Sequence, residues 1–343
     1  MGLALEAVVK RFGKHAAVDG VTVDIADREF FAIVGASGCG KSTLLRLIAG
    51  LDPVTEGGIR IAGEPVSGPD LHKAPEDRNV GFVFQSYALW PHLDVRGNVA
   101  FPAEMAGLSR RVAAERADAH LATVALGAFA DRKPADLSGG QRQRVALARC
   151  LAQNAGTILM DEPLANLDPH LRRTMEEELL TFHRQAGATT IYITHDQREA
   201  MAVADRMAVM ARGRFLQVGT PTEIYDCPAN AEVARFIGAG TLLPLDWVEG
   251  APTIAGKGVP LRGGPPGGDP TLALIRPQDL TLGDPGSGDW DGEVESALYR
   301  GGVWEARIRV DRLPTPLEVA SRTRLRPGDR LGVRVDDGWC LPA

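Results

Sequence analysis

The sequence predicts an α/β fold built on a phosphate-binding loop, with an inserted helical subdomain and a small all-β domain, a barrel or sandwich, after it. Three observations carry this. An apolar run, Phe30-Phe31-Ala32-Ile33-Val34, leads into Gly35-Ala36-Ser37-Gly38-Cys39-Gly40-Lys41-Ser42-Thr43 and then into the helical pattern of Leu44-Leu45-Arg46-Leu47-Ile48-Ala49. Three more β-type runs end on polar residues: 79–84 on Gln85, 157–160 on Asp161 and Glu162, and 189–194 on His195. Past residue 238, short strands broken by glycine and proline replace this alternation.

The strand, glycine turn and helix are the setting that phosphate binding needs. Gly35, Gly38 and Gly40 are expected to take left-handed backbone and to let successive amides converge on phosphate oxygens at a helix N-terminus. Lys41 supplies a cation for the β- and γ-phosphates, and the Ser42 hydroxyl is a ligand for Mg²⁺. Residues 35–43, with Ala36, Ser37, Cys39 and Thr43 among them, are therefore candidate contacts of a nucleotide.

At 343 residues the chain is long enough for two domains. No apolar stretch approaches the ~18 residues of a membrane span, so a membrane role is expected to be peripheral. The net charge of -6 gives no support for nucleic-acid binding. Four scattered cysteines make no C-x-x-C pair, which fits a reducing compartment, and the N-terminus shows no signal-peptide pattern. A cytoplasmic location is the expectation.

Two alternating runs open the chain, 5–10 and 17–25, and Phe12 falls between them. Phe12 either stacks on an adenine face or fills a core, and Val18 is a further candidate contact of the nucleotide. After the first helix a short strand at 59–61 and a polar loop lead to the strand ending on Gln85. That glutamine satisfies a loop backbone or touches Mg²⁺ or the attacking water. The loop beyond it holds Tyr87, Leu89, Trp90 and Leu93, large side chains that pack on their own domain or form a partner-binding patch.

From about 95 to 153 the pattern is helical and alanine-rich. Within it Leu137-Ser138-Gly139-Gly140-Gln141 opens a strong helix, with Ser138 as cap, and makes a second anion-binding helix start. One ATP does not need two. Next, Asp161 is placed to hold Mg²⁺ and Glu162 to polarise water. Asp168 caps a helix running to about residue 185 or lies in the site, and His195 is placed to meet a γ-phosphate oxygen or Glu162. Gln85, Asp161, Glu162 and His195 all fall at carboxyl ends of strands, where open α/β sheets bind ligands.

Over residues 3–238 these motifs, in this order and spacing, resemble the ATP-binding subunit of an ABC transporter. The resemblance implies an ABC ATPase core whose copies pair head to tail, each ATP lying between one copy's phosphate loop and Ser138, Gly139, Gly140 and Gln141 of the other. It implies ATP and Mg²⁺ as cofactors, Ser42, Gln85 and Asp161 around the metal, and Glu162, His195 and Gln85 in catalysis, with Asp168 near the dimer interface. It also assigns the Gln85 loop to a membrane permease and makes an extracytoplasmic solute-binding protein an indirect partner. One departure is Ala165, where the family often has serine before Asn166-Leu167-Asp168.

Residues 239–343 resemble the OB-like regulatory domain of importer ATPases for sugars, polyamines, sulfate and iron(III). The combined reading is a homodimeric, peripheral ATPase on the cytoplasmic face of the membrane, domain boundary near 238, importing a polyamine or iron(III). The alternative is a soluble ABC-type ATPase acting on ribosomes or DNA, which would be expected to carry a second cassette, a coiled coil or a basic arm. A small-molecule kinase is disfavoured, since it has no use for the Ser138 helix or Glu162.

Overall fold

The computed structural model describes residues 2–165, 169–263 and 271–341. It forms two compact units, Met1–Pro221 and Thr222–Ala343.

In the first unit the strands are β1 Leu3–Phe12, β2 His15–Ile25, β3 Phe30–Val34, β4 Glu56–Ile61, β5 Glu64–Gly68, β6 Leu71–His72, β7 Val80–Val83, β8 Thr157–Asp161, β9 Thr189–Thr194, β10 Arg206–Ala211 and β11 Arg214–Gly219. The helices are α1 Lys41–Ala49, α2 Val95–Met105, α3 Arg110–Thr123, α4 Gly139–Gln153, α5 Pro169–Ala186 and α6 Gln197–Val203. Two sheets result. One is antiparallel, in the order β2-β1-β4-β5-β6; the other runs β11-β10-β3-β9-β8-β7, and β10, β3, β9, β8 and β7 are parallel.

The parallel strands are short and apolar on both faces, as buried strands of this kind are. All five residues of β3 and all six of β9 are buried. Leu44, Leu45, Leu47 and Ile48 of α1 share one core with Leu3, Leu5 and Ile59 of the first sheet and Phe31, Ile33, Leu159 and Ile191 of the second. Helices α2, α3 and α4 have a separate apolar cluster around Val95, Val99, Leu121, Val145 and Ala148. Small alanines dominate it, which lets the helices approach closely.

The second unit opens with α7 Pro221–Asp226, whose first residue belongs to the first unit, and α8 Ala231–Phe236, then turns all-β. Three small sheets share one core around Ile254, Ile275, Trp290, Ile308, Val319 and Val335. The sequence reading puts the boundary near 238, but 222–238 group with the β-rich unit. The physical reason is Arg276: its buried guanidinium donates to the carbonyls of Tyr225 (2.8 Å), Ile237 (2.6 Å) and Ala239 (2.8 Å), and lies over the Tyr225 ring.

Candidate functional site

The strand register brings the site's loops to one edge of the parallel sheet. Val34 is paired with Thr194, Asp161 with Ile193, and Val83 with Met160. The phosphate loop, His195, the two carboxylates and the Gln85 loop therefore leave from neighbouring strand ends.

Two of the loop's glycines are required for different reasons. Gly40 has φ 113°, and a Cβ there would lie 2.2 Å from the carbonyl oxygen of Ala17. Gly35 corrects an expectation, because its backbone is not left-handed. A Cβ at Gly35 would lie 2.2 Å from the Met210 carbonyl oxygen and 2.7 Å from Cys39 Sγ, so it is close approach to β10 that excludes a side chain.

Helix α1 starts on Gly40 with no side-chain cap and no acidic residue in its first turn. The first turn thus brings no carboxylate of its own against these amides, and the dipole there favours an anion. Lys41 is only 5% exposed, and its Nζ donates to the carbonyls of Gly35 (2.7 Å) and Ala36 (3.2 Å) and lies 3.8 Å from Cys39 Sγ. Ala36, Ser37, Gly38 and Ser42 are exposed, Thr43 is half-buried and Cys39 is buried. The Ser42 hydroxyl donates to Oδ1 of Asp161 at 3.0 Å.

Burial pushes the Asp161 carboxyl above its ordinary value; the Ser42 hydrogen bond opposes this and the Glu162 charge adds to it. Glu162 has φ 44°, a left-handed backbone that is costly for a non-glycine residue and is held here by its amide's bond to the Ile193 carbonyl, 2.9 Å. This turn directs its carboxylate to His195, whose Nδ1 lies 3.0 Å from Oε2.

The sequence reading did not single out the support behind His195. Buried Glu199 accepts from the hydroxyls of Tyr192 (2.9 Å) and Thr194 (2.7 Å), and Arg172 of α5 lies 3.3 Å from both Glu199 and Asp196. Asp196 caps α6 by accepting from the Arg198 amide. The only signal was an acid in the first turn of the helix after His195, a pattern that ordinarily serves the helix dipole.

Gln85 is exposed, two residues past β7. Beyond it the large side chains pack mostly on their own unit: Tyr87 is 4% exposed, Leu89, Trp90 and Leu93 are half-buried, and the Trp90 ring lies 4.3 Å from Phe101 of α2. Phe12 is 53% exposed with Lys10 Nζ 5.2 Å from its ring, so of its two readings core filling does not hold. Val18 is wholly buried in the core and presents no side-chain surface.

The Ser138 helix start is not joined to these groups by any hydrogen bond described for Ser138 or Gln141; they satisfy each other. Ser138 Oγ accepts from the Gln141 amide (3.3 Å), and the Ser138 amide donates to Oε1 of Gln141 (2.9 Å), a complete capping box. Gly139 and Gly140 fill the first turn, Gly140 buried. Asp168 lies outside the described residues.

A parallel sheet with a glycine loop running into an uncapped helix, and Lys41, Ser42 and Asp161 gathered at its edge, defines a P-loop nucleoside triphosphatase. The family model described as "ABC transporter" matches residues 18–165, and that of the "TOBE domain" matches 273–342. A spermidine/putrescine import ATP-binding protein of Rubrobacter xylanophilus is 40% identical over 99% of this chain and 93% of its own. An sn-glycerol-3-phosphate import ATP-binding protein of Paracoccus denitrificans is 40% identical over 96% and 93%. Among solved structures, the ATP-binding cassette MJ0796, a dimer bound to ADP and Pi, superposes with TM-score 0.57 at 33% identity, covering 64% of this chain and 98% of that one. The chain belongs to the ABC transporter family, in its group of import ATP-binding proteins with a TOBE domain.

Proposed function

We propose that this protein is the energising subunit of an ABC importer, in which two copies close on two ATP molecules and hydrolysis reopens them, driving solute through a separate permease. The observation that carries this is the pair of contacts at one sheet edge, Ser42 with Asp161 and Glu162 with His195. The amides of 35–43 and Lys41 take the phosphates, Lys41 exchanging the Gly35 and Ala36 carbonyls for phosphate oxygens. Exposed Phe12 stacks on the base, and Val18 supports the loop from the core.

The donor set fits Mg²⁺. A hydroxyl and a carboxylate are hard oxygen ligands, and Asp161 is a buried carboxyl beside a second one, the situation a nearby cation relieves. Among the described residues no three His, Cys, Asp or Glu gather for a metal, which suits an ion held by one or two carboxylates plus substrate phosphates. Ser42, Asp161 and Gln85 would hold it, and when bound it supplies charge neutralisation on the β- and γ-phosphates.

Glu162 accepts a proton from the attacking water, and His195 orients Glu162 and the γ-phosphate. Ser138, Gly139, Gly140 and Gln141 come from the opposite copy, where the Ser138 hydroxyl, an acceptor for the Gln141 amide, donates its own proton to a phosphate oxygen. Asp168 is assigned to the interface between copies. The dimeric state of MJ0796 supports this pairing. In this reading the permease is a separate chain and this subunit works from the cytoplasmic face; no helix among the described residues is long and apolar enough to cross a membrane. For the solute we take a polyamine, which is among those the relatives' names carry, a spermidine/putrescine import protein of Pseudomonas fluorescens being 50% identical over 71% of this chain; sn-glycerol-3-phosphate is another.

Glu162→Gln tests the reading. Turnover should fall at least ~10²-fold while ATP still binds, and an ATP-bound pair should elute from a sizing column at twice the monomer mass. Unchanged turnover removes Glu162 from the mechanism, and a variant that binds ATP without ever pairing removes the shared site.

A further inference from the structure

We propose that Arg149 is a positioning residue that locks the Gln85 loop to helix α4, so that Gln85 and the Ser138 helix start move as one piece. This rests on the reading of both as parts of the nucleotide site.

Arg149 sits near the C-terminal end of α4 and is 7% exposed. Its guanidinium donates to the carbonyls of Ala88 (2.8 Å) and Tyr87 (2.9 Å), and its face lies 5.0 Å from the Trp90 ring. All three contacts are to the loop that follows Gln85. Among the described residues no carboxylate pairs with it, so a cation has been buried on main-chain carbonyls and an indole face, an arrangement that stands against a desolvation cost.

The loop at these carbonyls is strained. Tyr87 and Ala88 have φ 63° and 46°, two consecutive non-glycine residues in the left-handed region. Such backbone persists only where its surroundings over-determine it. The Tyr87 amide donates to the Phe84 carbonyl (2.8 Å), closing a turn that contains Gln85, so whatever fixes Tyr87 also fixes Gln85. The buried Tyr87 ring reaches far enough for its hydroxyl to feel the charge of Arg142, in the first turns of α4. Loop and helix are thus in contact at Arg149, toward one end of α4, while Arg142 toward the other end acts on Tyr87 through its charge alone. Arg149 and the Ser138 helix start belong to one uninterrupted 15-residue helix.

Lysine cannot replace this fork, because one ammonium cannot hold two carbonyls in a plane and stack on an indole. The test uses the full chain with Arg149→Lys, Gln85→Ala and the double variant. If Arg149 positions Gln85, R149K lowers kcat for ATP hydrolysis by about tenfold with KM changed less than about threefold, and the double variant is no worse than the weaker single one by more than about twofold. Without nucleotide, hydrogen exchange of amides 85–90 in R149K rises while that of α1 stays as it was. Arg149→Gln, which removes the buried charge and keeps a donor, carries the same expectations if the lysine variant does not fold.

The inference is overturned if the folded variant keeps kcat within about twofold, if the two substitutions multiply, or if exchange rises throughout α2, α3 and α4 alike. If Gln85→Ala itself leaves turnover unchanged, the reading of Gln85 fails. If that variant is impaired and R149K is not, only the present inference fails.

Discussion

Helices α1 and α4 both begin at glycine-rich turns, yet they are finished in opposite ways. Helix α1 starts on Gly40 in a left-handed conformation with no side-chain cap, and α4 starts on Ser138 with both halves of a capping box in place. A good cap is worth about 1 kcal/mol, so α1 forgoes what α4 keeps. It can do so because Leu44, Leu45, Leu47 and Ile48 are wholly buried between two sheets, each contributing roughly 1.5–3 kcal/mol. The buried residues of α4 include three alanines and a cysteine, with less apolar area each. Packing surplus thus lets one helix leave its first amides for a ligand. The other start is satisfied within one chain, and its part in the nucleotide site depends on a second copy.

The sharpest way to break this contrast is Gly35→Ala. The added methyl meets the Met210 carbonyl at 2.2 Å and Cys39 Sγ at 2.7 Å, neither of which can yield without moving β10 or the loop. Nucleotide affinity, followed with a fluorescent ATP analogue, should fall at least about 100-fold, with stability down by about 1–3 kcal/mol. Retained affinity would mean that the loop tolerates displacement and that its close approach to β10 is incidental.

Ser138→Ala probes the other start, with a smaller effect. Stability should fall by about 1 kcal/mol, the value of a cap. If Ser138 also serves a partner's phosphate, turnover at saturating ATP falls by roughly tenfold or more, as for a lost transition-state donor. Denaturant unfolding and steady-state hydrolysis on the same preparation separate the two roles. A stability loss with normal turnover would leave α4 an ordinary capped helix.

The contrast also marks what the sequence can reveal. Residues 35–43 and the strand-end polar residues were legible because their chemistry is local: glycine, lysine and serine at fixed spacing next to an apolar run. The strain at Tyr87 and Ala88 was not, since neither is a residue that favours left-handed backbone, and the clamp that holds it comes from Arg149, about sixty residues on. For the same reason the loop's aromatics read as equally able to face a partner or their own unit. The boundary near 238 was placed by composition, whereas the Arg276 contacts that draw 222–238 toward the β-rich unit are long-range. The strands Thr241–Pro244 and Leu317–Ser321 are too short to show a period.

The smallest effect concerns the half-buried carboxylate beside the phosphate loop. Burial raises the Asp161 carboxyl above its unfolded value, so protonation favours the folded state. The contribution of this group to stability is therefore full at pH below the ordinary carboxylate range and is lost as pH rises through the raised value. At pH 7, without nucleotide or divalent cation, folded Asp161 bears an unfavourable charge that Asp161→Asn removes while keeping an acceptor for Ser42. The variant should unfold at a slightly higher temperature than the parent at pH 7, the two converging as the pH falls toward 4, and it should lose most of its hydrolysis. Should the variant instead melt lower at pH 7, the Ser42 hydrogen bond to the ionised form outweighs burial, and the site would be a stable ion-free arrangement in its own right rather than one completed by a cation.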